Sequence, residues 1–353
     1  MVGREILARA AADARFDRVI CLVRPPLDRF DALLAGLGLA GSGHVHALAG
    51  DVTEPDLGIA DPAGLAGITH VIHCAATVVF DHPLEEARRI NVAGTESVLG
   101  LCRRLRRFER LDAVSTAYVA GKRVDLVREE ELTHRRSFHN TYEQTKYECE
   151  QLLRAAMRDL PIAVHRPSIV VGDSRTGQTG SWKVLYWPLK VLARGRLPVV
   201  PYDPDGRLDI VPVDFVASAV LALSRKADTA GGTFHLTAGP GRDTTMGELA
   251  SHLSARLARR LPIRVHPRWW RWLIRPVLMT TASEELRRTL RTGLVYRPYL
   301  ELRLQFETSA SDAFLQPAGV LCPRVLDYID TIVDAAIASD FGRVAPAPAR
   351  SVP

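Results

Sequence analysis

Asn140-Thr141-Tyr142-Glu143-Gln144-Thr145-Lys146 is the stretch that decides how this chain is read, with Ser115-Thr116-Ala117-Tyr118 upstream of it. A tyrosine and a lysine four residues apart share one helical face, so a phenol and an ammonium can converge on one point. A free phenol titrates near ~10 and is a poor acid–base group at neutral pH. A neighbouring cation favours the phenolate, and Lys146 is expected to bring Tyr142 down toward the working range. Thr116 follows an expected strand over 111–114 and offers its hydroxyl to the same substrate oxygen. The spacing alone is common on helices that carry no chemistry. Its weight comes from order: a strand, then Ser-Thr, then the Tyr/Lys helix, in a chain of alternating β and α segments.

Working outward, the 353 residues are 47% hydrophobic, ample for a large core, and the length suggests about two bodies. A net charge of +6 allows nucleic acid, an anionic surface or a phosphate-rich small molecule as partner. The basic residues are spread out and no nucleic-acid-binding signature is present, so nucleic acid ranks last. Five cysteines without a CxxC pair read as reduced thiols of a cytosolic protein. No signal peptide is visible, and no apolar run reaches the ~20 residues that a membrane span needs.

The chain starts in helical periodicity, with Ile6, Leu7, Ala10 and Ala11 on one side. Gly3 then reads as the third glycine of a G-x-x-G-x-x-G phosphate loop, the first strand and earlier glycines lying before Met1. On that reading the chain as given is expected to bind its cofactor more weakly than one carrying them. Residues 18–23 (RVICLV) read as a strand buried on both faces. In a dinucleotide-binding sheet that strand's end meets the adenosine ribose, where a carboxylate suits a free 2′-hydroxyl and an arginine a 2′-phosphate. Arg24 therefore argues for NADP, with Arg29 a second candidate. Asp51, after a strand over 44–49, is placed either to accept from an adenine amino group or simply to form a turn. A strand over 68–75 runs into Ala75-Ala76-Thr77, small residues that let a cofactor approach the backbone. His70 and His73 have no third ligand nearby, which argues against a metal.

A long helix is expected over 83–107, with Asn91 inside it to hold the neighbouring strands and four arginines crowding its end. Residues 122–136 read as a charged surface loop. The 140–158 helix is followed by a strand over 161–165, and the chain leaves the sheet at 166–173. Residues 182–193 read as an amphipathic helix closing over a site. Trp269, Trp270, Trp272, Leu273 and Ile274 interleave with Arg264, Arg268, Arg271 and Arg275. The plain reading is a packed helix with solvated arginines; the sharper one is a surface for peripheral membrane contact or for acyl-CoA phosphates. The 345–348 Ala-Pro run reads as a disordered tail.

Taken together and in order, Leu22-Val23-Arg24, Gly50-Asp51-Val52-Thr53, His73-Cys74-Ala75-Ala76-Thr77, Asn91-Val92-Ala93-Gly94-Thr95, Ser115-Thr116-Ala117-Tyr118, Tyr142–Lys146 and Arg166-Pro167-Ser168-Ile169-Val170 resemble the extended short-chain dehydrogenase/reductases. More narrowly, they resemble the thioester reductase and fatty acyl-CoA reductase branch. The resemblance implies an α/β fold, a Rossmann-like doubly wound parallel sheet with a smaller, mainly helical substrate lobe. The NADP-binding domain would span 1–180, completed by 208–239; 181–207 and 240–340 would form the lobe, and 341–353 a tail. It implies Thr116, Tyr142 and Lys146 as catalytic. Gly3, Arg24, Asp51, Val52, Ala75, Ala76, Pro167, Ser168 and Ile169, with Tyr142 and Lys146, would hold NADP. Acyl-CoA, or an acyl group on a carrier, is the implied substrate. Nucleotide-sugar epimerases or dehydratases, hydroxysteroid-type dehydrogenases and a non-catalytic binding protein are the alternatives.

Overall fold

The computed structural model describes residues 1–344 except 61, 134–136, 196–198, 266–268, 282, 285–286, 288–289, 292, 294–295 and 301; the 345–348 tail lies outside them. The first half alternates as expected. Helix α1 (Val2–Ala11) is followed by β1 (Val19–Val23), α2 (Asp28–Gly36), β2 (Val45–Ala49) and β3 (His70–His73). Then come α3 (Leu84–Arg104), β4 (Arg110–Val114), a short β5 (Leu126–Val127), α4 (Thr141–Ala156) and β6 (Ile162–Pro167). A second stretch runs β7 (Ile169–Val171), α5 (Tyr186–Ala193), β8 (Val199–Pro201), β9 (Arg207–Leu208), β10 (Ile210–Pro212) and α6 (Val213–Ser224). After it come β11 (Thr233–Leu236), β12 (Thr244–Thr245), α7 (Met246–Leu257), β13 (Ile263–Val265) and β14 (Gln305–Phe306).

The central sheet is parallel, in the order β11-β6-β4-β3, with Leu111 opposite Ile162 and Ala113 opposite Val164. Side chains alternate between its faces with the strand period of two. Ile162 and Val164 pack with Val98 and Leu99 of α3 and Leu153 of α4, whereas Ala163 packs with Ile6 of α1 and Val216 and Val220 of α6. Helices thus cover both faces, the doubly wound arrangement. β1 and β2 form a separate parallel pair. Among the described residues β1 bonds β2 alone, and its side chains are half-buried rather than enclosed on both faces as the apolar run suggested.

The charged 122–133 stretch is largely exposed, as expected of a surface loop, but two of its charged side chains are not. Arg123 and Glu129 are buried. Arg123 is held by Asp125 and Glu131, at 2.8 Å and 2.5 Å. Glu129 accepts the His235 N–H at 2.8 Å and the Ala310 N–H at 2.6 Å, capping the helix Ser309–Leu315. Beside it Arg166, fully buried, pairs with Glu150 at 2.6 Å and donates to the carbonyls of Glu129 and Glu131. Charge at Arg123, Glu129 and Arg166 does not mean solvent, because each of the three finds partners inside the fold.

Candidate active site

α4 starts where its sequence says it should. Asn140 is the N-cap and accepts the Glu143 N–H at 2.9 Å, and the Glu143 carboxylate reaches back to the His139 N–H at 2.9 Å. Thr141 donates to the carbonyls of Phe80 and His82, which pins the loop after β3 to the helix start. In the first turn of α4, the Tyr142 phenol lies near the Thr116 hydroxyl, which acts to lower its pKa. Thr116 sits just past β4 and also contacts the Pro167 carbonyl at 3.4 Å. Lys146, 4% exposed, donates from Nζ to the Val114 carbonyl at 2.9 Å. The three expected side chains therefore meet at the carboxyl end of β4.

The electrostatics correct one expectation. Tyr142 is not lowered: burial pushes its phenol above the ordinary value, the Thr116 hydroxyl offsets this only in part, and the Glu143 carboxylate adds to the rise. Lys146 spends one donor on Val114 and acts on other neighbours, where its ammonium adds to the burial that brings His73 down to about 3. Tyr142 is held as a neutral phenol.

The residues expected at a cofactor lie at or beyond strand ends or at the start of α1. Arg24 follows β1 and is exposed, as is Arg29. Asp51 follows β2, and one of its oxygens accepts both the N–H and the hydroxyl of Thr53 at 2.9 Å, a turn-forming role. Val52 packs against Gly94 of α3, where an added Cβ would lie 3.2 Å from its Cγ2. Ala75 and Ala76 follow β3, with Ala75 exposed. Asn91 holds this segment: its carbonyl accepts the Thr77 N–H at 2.8 Å and its amide donates to the Thr145 hydroxyl of α4 at 2.9 Å. Pro167 ends β6, Ser168 is buried, and Ile169 opens β7.

Two observations test whether a dinucleotide fits here. A Cβ at Gly3 would lie 2.7 Å from Cys74 Sγ, so α1 meets the end of β3 with the closeness that the third glycine of such loops permits. The Ser115 hydroxyl, buried beside Thr116 at the end of β4, has no hydrogen-bond partner in the structure. Ligands of open α/β sheets bind outside the carboxyl ends of the strands. Both features suit a dinucleotide there, with Lys146, Ser115, Ala75 and Arg24 as the residues to hold it. Among the described residues no group of three or more His, Cys, Asp or Glu side chains could hold a metal.

Beyond Tyr142 the walls turn aromatic. Phe80 stacks on Tyr142 with centroids 5.8 Å apart and on Tyr299 at 5.5 Å, and meets Tyr296 edge-on at 6.1 Å. Tyr299 and Tyr296 form part of the wall of a carbon-lined cavity of about 150 Å³. Ile169, Trp187, Met246 and Ala250 contribute further wall. The Tyr299 hydroxyl donates to Glu143 at 2.7 Å and accepts from Asn140 at 2.9 Å.

The first 220 residues match the model of a family described as male sterility protein, an NAD-binding domain. The chain belongs to that family. Fatty acyl-CoA reductase wat of Drosophila melanogaster is 32% identical over 206 residues, covering 50% of this chain and 40% of its own length. Human fatty acyl-CoA reductase 2 is 28% identical over 51% of this chain and 41% of its own. This chain thus spans about two fifths of these relatives. The terminal R domain of the myxalamid PKS-NRPS pathway superposes with a TM-score of 0.83 at 28% identity, over 97% of this chain and 89% of that one. The R domain of a nonribosomal peptide synthetase from Mycobacterium tuberculosis gives 0.73 at 24%, over 98% and 90%, a likeness of fold. The Rossmann-like, extended short-chain reductase fold and the thioester-reductase branch are the ones the motifs resembled.

In this male sterility family member the sequence reading missed Phe80, Glu143 and Tyr299. Glu143 was legible in principle, because Asn140 and Glu143 have the spacing of a reciprocal helix cap. Tyr299 was not, since 156 residues separate it from Glu143. Of the tryptophan stretch, Trp270 is buried and lines the cavity, while Trp269 and Trp272 are 64% and 74% exposed. Arg268 lies outside the described residues. No helix among the described residues is long and apolar enough to cross a membrane.

Proposed function

We propose that this chain reduces acyl thioesters, acyl-CoA in the first instance and carrier-bound acyl groups in the second, with NADPH as the reductant. The observation that carries the reading is the Thr116–Tyr142 hydroxyl pair beside a buried Lys146, separated by one phenylalanine ring from an apolar cavity. Such a cavity suits an acyl chain and offers a sugar nucleotide little to bond, which ranks the epimerase and dehydratase alternative below it. Bound NADPH supplies the hydride that adds to the thioester carbonyl carbon. Thr116 and Tyr142 hold the carbonyl oxygen, and charge that develops there is met by hydroxyls already in place. Tyr142 gives its proton to that oxygen and forms a thiohemiacetal. Its raised pKa suits this direction, because the donor must arrive protonated. The carbon–sulfur bond then breaks, the thiol leaves with a proton, and an aldehyde remains that a second reduction takes to the alcohol. Lys146 keeps two ammonium donors beyond the one given to Val114, enough to orient a ribose. Arg24 would read the 2′-phosphate.

The test is incubation of the purified chain with NADPH and acyl-CoA, following cofactor oxidation and trapping aldehyde as a hydrazone. Cofactor oxidation matched by aldehyde or alcohol is expected. NADPH binding without any thioester-dependent oxidation would overturn the reading.

A further inference from the structure

The cavity beside the site is an apolar cleft, open on one side, of about 150 Å³. Its lining comes from α5, the β8 segment, α7 and residues around Trp270, Leu290 and Tyr296. The Trp187 indole lies directly on the backbone at Gly293, where an added Cβ would sit 2.5 Å from the ring, so this wall has no room to retreat. Trp270 and Leu290 are buried with Val191 in a small cluster that backs another side. The approach from the chemistry is short: Tyr142 to Phe80, then Tyr299 and Tyr296 on the wall. An engineered apolar cavity of about 150 Å³ takes up benzene. A space of that order suits an apolar segment of comparable bulk, on the order of six carbons.

Resting on the thioester reading above, we propose that this cavity seats the first part of the acyl chain, so that medium-chain acyl groups are favoured over short ones and further length brings no gain. The carbonyl lies at Thr116 and Tyr142, the chain passes Phe80, and the seated part meets the wall formed by Trp187 and Trp270. Chains beyond the seated length leave their remaining methylenes in water and gain nothing from them. Ala250 on α7 is the place where one side chain can shorten the cavity, since it is small, half-buried and part of the wall.

The experiment compares butanoyl-, hexanoyl-, octanoyl-, dodecanoyl- and hexadecanoyl-CoA with the wild-type chain, Ala250→Phe and Ala250→Leu, each checked for folding by thermal melting. Each buried methylene contributes about 0.8 kcal/mol, so kcat/KM should rise about fourfold per methylene up to octanoyl and then level off. Filling the cavity should lower the octanoyl-to-butanoyl ratio by tenfold or more in Ala250→Phe, and by less in Ala250→Leu. Tryptophan fluorescence gives a second reading without turnover: octanoyl-CoA, and not CoA alone, should perturb Trp187 and Trp270, and Ala250→Phe should abolish this. A steady gain through hexadecanoyl, or a ratio and a fluorescence response unchanged in folded Ala250 variants, overturns the proposal while leaving thioester reduction intact. Saturable octanoyl binding lost in Ala250→Phe, with no thioester reduced, would sustain the acyl seat and sink the reductase reading.

Discussion

Tyr142→Phe separates chemistry from architecture. The ring remains, so its stacking on Phe80 at 5.8 Å should persist, and Thr116 keeps its contact to the Pro167 carbonyl at 3.4 Å. What leaves is one buried hydroxyl near Thr116, a polar group whose net contribution is about 1 kcal/mol. For a chain of this size that corresponds to a melting shift of only about 1–2 °C. Removing a positioned general acid costs about a hundred- to ten-thousand-fold in rate, equivalent to about 2.7–5.5 kcal/mol of barrier. The assay is kcat from NADPH oxidation at saturating acyl-CoA, with cofactor affinity measured separately by titration. Rate should fall by at least a hundredfold while NADPH affinity stays within about twofold. A variant turning over within tenfold of the parent would remove Tyr142 from the proton-donor role. The pH profile adds an independent check. Burial raises the phenol, so the donor stays protonated and kcat/KM should show no Tyr142-dependent fall up to about pH 10. A basic limb near neutrality that disappears in Tyr142→Phe would mean that the loaded site lowers the phenol after all.

Arg24→Ala should weaken NADPH by about 1.5–3 kcal/mol, the value of a hydrogen bond to a charged group, and hardly touch NADH; titration with both cofactors checks it, and equal losses would make Arg24 structural. Asn91→Leu strips the half-buried Thr77 N–H of its acceptor and unties the Ala75-Ala76-Thr77 segment from α4, at a cost of about 1–3 kcal/mol in stability. It should also weaken NADPH, and lower melting with unchanged cofactor affinity would confine Asn91 to folding. Burial, helped by Lys146, holds His73 down at about 3, whereas an unfolded histidine takes up its proton near 6.5. The unfolded state therefore binds the extra proton between those values, and stability is lost as pH falls from about 6.5 toward about 3. His73→Leu should reduce that acid slope by about 1.4 kcal/mol per pH unit in denaturant melts, and an unchanged slope would show that His73 is not its source.

What was legible in the sequence was whatever is local. The strand over 111–114, the Ser-Thr after it and the Tyr/Lys helix each rest on a few neighbouring residues, and the fold places them as their order implied. Asn91 could be read as a holder of the strands because a polar side chain facing a sheet must bond something. Lys146 was legible too, but its hydrogen-bond partner was not. Its spacing from Tyr142 is local, but the Val114 carbonyl that takes its proton-bearing nitrogen is 32 residues away. Charge in 122–136 was read as solvent, yet Arg123 is buried with Asp125 and Glu131 of its own stretch, and Glu129 is buried because its partners, His235 and Ala310 among them, come from elsewhere in the chain. In the tryptophan stretch composition was visible and direction was not, and only packing divides Trp270 from Trp269 and Trp272.

Two buried carboxylates explain how a cavity built from the second half of the chain can be aligned with a hydroxyl pair built from the first. Glu143, adjacent to Tyr142 on α4, accepts the Tyr299 hydroxyl at 2.7 Å, and Tyr299 is itself cavity wall. Glu129 gathers the His235 N–H of β11 and the exposed N–H groups that open the helix Ser309–Leu315. Burial raises its pKa and those donors counteract the rise, so its ionised form depends on them. A carboxylate in such a place is costly without its partners and stabilising with them, which makes the arrangement close to all-or-none. A wall fixed this way can measure chain length, because displacing Tyr299 would strip Glu143 of a donor as well as disturb an aromatic contact. The chain-length effect proposed above would therefore rest on the Tyr299–Glu143 hydrogen bond, made by the residue next to Tyr142 on α4.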